Sequence, residues 1–311
     1  MAVLLALATT GACSPTRENR PNIVVIVLDT FRADRLGPRS GHGSLTPFLD
    51  RFAVGARYWP AATSTAALTM PAMASVMTGR HSDRAGIVGH GPHDRVGSTV
   101  PTLASLASAV GYRTVAIVTN PWLARRATGF ARGYRSFTSG RTLGMAGARL
   151  PADVVTDTAL ATVDSEASGT TSSLLLWVHY MDMHMPYPPV PSEADDARGA
   201  STTSRIVADF STHKADRQRI YFDAPYDAAE IEATRAQYDA AATRVDRAVG
   251  RLLDGLGRRG LLDDAIVVVL SDHGEALGDH GLFFALHFNV YDEHARVLLL
   301  LSAPGLAPGV D

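Results

Sequence analysis

The sequence predicts an α/β fold, a three-layer sandwich around a mainly parallel central sheet. Two observations predict it. Continuous apolar runs rich in β-branched residues occur at 22–28 (NIVVIVL), 114–119 (TVAIVT), 174–179 (LLLWVH), 265–270 (AIVVVL) and 297–302 (VLLLLS), the pattern of strands buried on both faces. Between these runs lie segments with helix punctuation or helical apolar spacing, and such alternation is the signature of parallel sheets covered by helices.

Taken in order, residues 1–10 (MAVLLALATT) form an apolar run too short for the roughly 20 residues of a membrane span and similar to the core of an export signal. The following Thr10-Gly11-Ala12-Cys13 resembles the lipobox of bacterial lipoproteins. Residues 14–21 (SPTRENRP) read as a polar tether. The expected organisation is therefore an export signal and tether over 1–20 and one folded domain over 21–311, placed in the cell envelope or periplasm with a lipid anchor at Cys13. After the first strand, Thr46-Pro47 opens a helix as cap and first residue, burying Phe48, Leu49 and Phe52. Residues 66–79 (AALTMPAMASVMTG) hold a second helix that starts at Pro71 and ends at Gly79. Residues 99–101 open a third, closed by Gly111. From 228 to 256, Ile231, Tyr238, Val245, Val249, Leu252 and Leu256 recur at helical spacing, a long amphipathic helix. Residues 186–225 are rich in Pro, Ser and Asp and read as a surface insertion.

Composition narrows the function. The chain has 311 residues, 46% of them hydrophobic, and a formal net charge of -2, which gives no electrostatic footprint of a nucleic-acid binder. One cysteine excludes an internal disulfide framework. Lys214 is the single lysine among 29 basic residues, so any other cation acting on a ligand is an arginine, a histidine or a metal ion.

In open α/β sheets, ligands bind beyond the carboxyl ends of the strands. Asp29 follows the first strand run, His179-Tyr180-Met181-Asp182-Met183-His184 the third, and Ser271-Asp272-His273-Gly274-Glu275 the fourth. Asp29, Asp272 and His273 thus share one sheet edge. Two carboxylates and an imidazole converging there would repel or be starved of solvent unless a cation joined them. A divalent metal is the economical answer, their mixed oxygen and nitrogen donors suiting Zn2+ or Mn2+ better than Ca2+; a structural role, such as an Asp capping the next helix, is the other reading. Thr69 stands just ahead of the helix at Pro71, where unpaired N–H groups and the helix dipole favour an alkoxide or a bound anion. Beside a metal its hydroxyl would be an activated nucleophile; a plain helix cap is the other reading. Ser75 and Thr78 read as structural.

These segments resemble the sulfatase-like branch of the alkaline phosphatase superfamily. Pro21-Asn22-Ile23 through Leu28-Asp29-Thr30-Phe31-Arg32-Ala33-Asp34 is similar to its first strand and metal turn, Thr46-Pro47-Phe48-Leu49-Asp50 to its next helix, and Thr69-Met70-Pro71-Ala72-Met73 through Thr78-Gly79-Arg80 to its nucleophile segment. Asn120, Val178-His179-Tyr180-Met181-Asp182, His184, Ser271-Asp272-His273-Gly274-Glu275 and Gly278-Asp279-His280-Gly281 follow in the family's order. The resemblance covers residues 20–308.

It implies one divalent metal ion held by Asp29, Asp272, His273 and the Thr69 oxygen, with Thr69 attacking sulfur or phosphorus of a small anionic ester. His184 and His280 are implied as catalytic groups that bind the transferred oxyanion or protonate the leaving oxygen. His179 and His287 join them as substrate-binding candidates. With lysine excluded, Arg80 or Arg32 is expected to assist them. Three departures shape the expectation. Thr69 replaces the cysteine or serine that sulfatases convert to formylglycine, which points to a Thr-nucleophile variant. Thr30 stands where many sulfatases carry another Asp and His273 where they carry Asn, which favours Mn2+ or Zn2+ over Ca2+. Relatives also continue past the last strand into a small subdomain, so 21–311 is expected to lack it. The function expected is a metal-dependent sulfate or phosphate ester hydrolase. The alternatives are a phosphoglycerol- or phosphoethanolamine-type transferase on envelope components, or a non-catalytic sulfatase-like binding lipoprotein.

Overall fold

Eight strands make the central sheet: β1 (Asn22–Leu28), β2 (Arg57–Tyr58), β3 (Arg113–Val118), β4 (Ser136–Ser139), β5 (Leu174–Tyr180), β6 (Ala265–Ser271), β7 (Leu299–Ser302) and β8 (Gly309–Val310). They lie in the order β8-β2-β7-β6-β1-β5-β3-β4. The structure is a computed structural model and describes residues 20–39, 43–144, 150–167, 172–191, 201–212, 220–221, 226–284 and 289–311. The expected signal and tether up to residue 19, Cys13, Lys214 and His287 lie outside the described residues. Among those residues no helix is long and apolar enough to cross a membrane.

β1 sits at the centre, parallel to β6 on one side and β5 on the other, and β3 and β4 continue the parallel set. β7 runs against its neighbours β6 and β2. The apolar run at 297–302 therefore forms an antiparallel strand within the mainly parallel sheet. Apolarity on both faces does not distinguish strand direction once both faces are covered.

The side-chain period of two splits the sheet into two cores. Val24, Ile26 and Leu28 face α1 (Pro47–Val54) and two long helices, α4 (Ala152–Ala167) and α6 (Ala228–Gly257). Val25 and Val27 face the opposite side, against α2 (Thr69–Thr78) and α3 (Leu103–Ala109). These are the three layers.

Local differences from the sequence reading have identifiable causes. In α1 the Thr46 side chain makes no cap bond; instead the Asp246 carboxylate of α6 accepts from Phe48 N and Leu49 N at 3.0 and 2.8 Å, so a distant residue caps the helix. α3 begins after Thr102, which forms a capping box with Ser105, and Pro101 lies one residue outside it. The insertion at 186–225 is partly woven into the fold. Its helix α5 (Arg205–Thr212) buries Ile206, Val207 and Phe210 in the core, an i, i+1, i+4 pattern too short to stand out in a polar stretch.

Candidate functional site

The register of the sheet assembles the site. Leu28 pairs with Ser271, so the next residues, Asp29 and Asp272, emerge side by side at the carboxyl edge. Period two then assigns the face. Val25, Val27 and Asp29 point the same way, as do Leu270 and Asp272, Trp177 and His179, and Val118 and Asn120. All of these point toward α2. Asp29, Asp272, His179 and Asn120 are all buried there, together with Thr69.

The donor atoms of Asp29, Asp272 and His273 lie within 4.8 Å of one another. Thr69 joins them, its Oγ1 being 3.3 Å from His273 Nε2 and 3.5 Å from Asn120 Nδ2. Each carboxylate is oriented by fixed donors. Asn120 Nδ2 donates to Asp29 Oδ2 at 2.8 Å. Thr30 N and His273 N donate to Asp272 Oδ1 at 3.1 and 2.9 Å. Asp272 Oδ2 is buried, 3.5 Å from His273 Nε2, and accepts no hydrogen bond among the described residues, an arrangement that leaves it for a ligand. His273 Nδ1 lies 2.9 Å from the Gly274 carbonyl, an acceptor only, so Nδ1 carries the proton and Nε2 presents its lone pair toward Thr69.

Burial pushes Asp272 up to about 7 and lowers His273. His179 is pushed down to about 3, chiefly by burial, and stands as a neutral ring with Nε2 3.4 Å from Asp29 Oδ2. Two carboxylates beside two neutral imidazoles, with an orphaned carboxylate oxygen among them, fit a divalent cation: the ion would supply the missing positive charge and take up the unmatched lone pairs. Asp29, Asp272 and His273 are the residues that could hold it.

The turn after β1 is held in an uncommon conformation. Thr30 has φ 59°, a left-handed geometry costing a residue with a β-branched side chain of order 1–3 kcal/mol. It aims the Thr30 N–H at Asp272, and Tyr238 of α6 holds it: the Tyr238 hydroxyl donates to Thr30 O and accepts from Arg32 N, both at 2.8 Å. Tyr238→Phe leaves two buried backbone groups short of a partner, and a loss of about 1–3 kcal/mol is expected, measurable as a lower urea midpoint with unchanged m-value. Gly274, which follows His273, is equally constrained. A Cβ there would lie 1.9 Å from the Glu293 carbonyl, because Gly274 N bonds the His294 carbonyl at 2.9 Å. Gly274→Ala is expected to destabilise the chain by several kcal/mol, at least about 3; a thermal midpoint within about 2 °C of the parent's would contradict this packing.

Other expected site residues fall elsewhere. Thr69 is the first residue of α2, not ahead of it, and Pro71 is the third, because Leu68 is the extended N-cap. A proline fits there since the first-turn N–H groups have no helical partner. Arg80 is exposed beyond the other end of α2, whose ten residues rise about 15 Å, so the structure does not bring it to Thr69. Arg32 is also unsuited to hold an oxyanion: its guanidinium is buried and bonded to Asp34, Asp279 and the Glu275 carbonyl. His179 is fully buried against Asp29 rather than facing a cleft. His184 stands outside the cluster, on the loop after β5, with Nδ1 2.7 Å from the Met185 carbonyl. His280 is half-exposed, stacked on Tyr291 at 4.0 Å and 3.6 Å from Glu293.

The residues missed from sequence are Asn120 as a contact of Asp29 and Thr69, and His90. Counting period two past β3, as past the other strands, would have placed Asn120 at the same edge. His90 has no such signal. It approaches through a loop and its Nε2 accepts from Met70 N at 3.1 Å, serving as the cap α2 otherwise lacks.

The Sulfatase family model matches residues 21–309. The chain belongs to the sulfatase family. Among curated sulfatases, it is 40% identical over 80 residues to a choline-sulfatase of Rhizobium meliloti (strain 1021), covering 26% of this chain and 15% of that protein. It is 30% identical over 172 residues to arylsulfatase K of Bos taurus, covering 49% and 31%. The matched segments thus span less than a third of these relatives' own lengths. A phosphonate monoester hydrolase from Silicibacter pomeroyi shares the fold at TM-score 0.66 and 22% identity, over 94% of this chain and 70% of that one.

Proposed function

We propose that this sulfatase-family chain hydrolyses sulfate or phosphate esters with Thr69 as the nucleophile and one divalent ion, Mn2+ or Zn2+ in preference to Ca2+, held by Asp29, Asp272, His273 and the Thr69 oxygen. The observation that carries the reading is Thr69 Oγ1 lying 3.3 Å from His273 Nε2, inside the buried acidic cluster. The ion would neutralise charge on the non-bridging oxygens and favour loss of the Thr69 proton.

The chain's own residues supply the rest. Asn120 fixes Asp29, and the backbone of Thr30 and His273 fixes Asp272, so the donors are set before substrate arrives. Thr69 Oγ1 forms a bond to sulfur or phosphorus as the bond to the ester's alcohol oxygen breaks; the alcohol leaves with a proton. Water then cleaves the Thr69 ester, releasing sulfate or phosphate and restoring the hydroxyl. Placement of Thr69 in the first turn of α2 adds the positive end of the helix dipole at the oxyanion. A threonine has no aldehyde hydrate through which to eliminate the group, so release requires water or a second alcohol.

The test is turnover by the metal-loaded chain of aryl sulfates, aryl phosphodiesters and phosphonate monoesters. At least one class should be hydrolysed by the parent protein and none by Thr69→Ala; failure on all three, or equal rates in both proteins, overturns the reading.

A further inference from the structure

A second site lies beside the outermost strand of the same sheet. A cavity of about 600 Å³ runs alongside β4, from Tyr134 and Arg135 ahead of the strand to Arg141 and Thr142 after it, and its wall includes Arg125, Arg126, Arg135 and Arg141 and, among the described residues, no carboxylate. In a chain whose net charge is -2, four guanidinium-bearing residues around one cavity are a concentrated positive field. Arg135 is paired with Glu166 at 3.1 Å, and Arg125 lies over the Trp122 ring at 4.8 Å. Among the described residues, no carboxylate pairs with Arg125, Arg126 or Arg141. Part of the wall is aromatic, formed by Tyr134 and Phe137, and the buried Tyr134 hydroxyl has no hydrogen-bond partner among the described residues.

The cavity wall begins one turn of chain away from a residue of the candidate site. Asn120, which touches Asp29 and Thr69, bonds the Trp122 N–H through its Oδ1 at 2.9 Å, and Ala124 N donates to Asn120 O at 3.0 Å. Residues 120–124 therefore close one helical turn, so the cavity wall at Ala124 begins about 5–6 Å from Asn120. Trp122 carries the contact onward, with His90 stacked on it at 4.9 Å.

Resting on the ester-hydrolase reading, we infer that this cavity binds a second anionic group on the alcohol portion of the ester, so that the preferred substrates are polyanionic. Arginine forks match sulfate, phosphate and carboxylate oxygens in paired hydrogen bonds, and the aromatic wall suits a ring joining the two anions. Such contacts act on the ground state and the transition state alike, so they lower KM rather than raise kcat.

Two measurements on the full chain test it. In a Thr69→Ala background, which separates binding from turnover, affinity for sucrose octasulfate should fall at least about tenfold when Arg126→Ala and Arg141→Ala are combined. Arg84→Ala, an exposed arginine elsewhere, should leave it unchanged. Unchanged affinity in the double variant, or an equal fall in Arg84→Ala, overturns the inference. In the Thr69 protein, the double variant should raise KM about tenfold for a disulfated disaccharide ester with kcat unchanged, and leave the monosulfated counterpart unaffected. Equal effects on both esters overturn the substrate assignment. Loss of sucrose octasulfate affinity with no ester turned over by either protein would instead overturn the hydrolase reading and, with it, the assignment of the second anion to a substrate.

Discussion

Thr69→Ala abolishes ester turnover, lowering kcat by at least about 10^4-fold, a magnitude expected for removal of a covalent nucleophile. The substitution deletes the Oγ1 that lies 3.3 Å from His273 Nε2 and 3.5 Å from Asn120 Nδ2 and little else, since Thr69 is a helical residue in a position alanine accepts. Its thermal midpoint should therefore stay within a few degrees of the parent's. Thr69→Ser, which keeps the oxygen, should retain measurable activity. A Thr69→Ala protein with more than about a tenth of the parent rate would show that a different group attacks.

Metal removal produces the other large effect, and its size depends on pH. Without a cation, burial holds Asp272 at about 7 in the folded chain, against an ordinary 3.8. A raised carboxyl keeps its proton in the folded state where the unfolded chain has released it, so the Asp272 contribution to metal-free stability falls as pH rises from about 4 to 7. The full Asp272 penalty, about 4 kcal/mol, stands above pH 7. His273 and His179 are both lowered, so they stay neutral in the folded chain where the unfolded chain protonates them, and below about 6.5 their own slope runs the opposite way. The gain on adding metal compares two folded states in which both rings are neutral, so its pH dependence follows the Asp272 proton that the ion must displace. A bound ion opposes the penalty, and its binding adds about 4 kcal/mol at a thousandfold excess over Kd. Calorimetry with Mn2+ and with chelator at pH 5, 6, 7 and 8 should show a stabilisation by metal that grows with pH and reaches roughly 10 °C near neutrality. Equal stabilisation at every pH, or none, would contradict the assignment of Asp272 as a ligand.

The cluster of Asp29, Asp272 and His273 was legible in the sequence for a geometric reason. Asp29 and Asp272 each end an apolar run, and neighbouring parallel strands of similar length finish at one edge, so their adjacency follows from the runs alone. Thr69 follows from helix punctuation. What was not legible depends on backbone paths between elements. His90 reaches α2 through a loop, Tyr238 reaches the Thr30 turn from a helix more than 200 residues later in the chain, and Asp246 replaces Thr46 as the cap of α1. Arg80 looked close to Thr69 because it ends the same motif, yet ten helical residues carry it to the far end. Strand β4 (SFTS) has too few apolar residues to be read as a strand. In α4, by contrast, Val155, Ala159 and Val163 keep helical spacing and are buried; that signal was present in the sequence.

The central claim is that Thr69 carries the transferred group. Intact-mass and peptide-mass analysis of the metal-loaded chain, acid-quenched during turnover of an aryl ester, tests it most directly. The account predicts a mass increment of one sulfuryl or phosphoryl group on the peptide containing Thr69, absent from Thr69→Ala. An increment on any other residue, or rapid turnover with no increment at the shortest quench times, would contradict it.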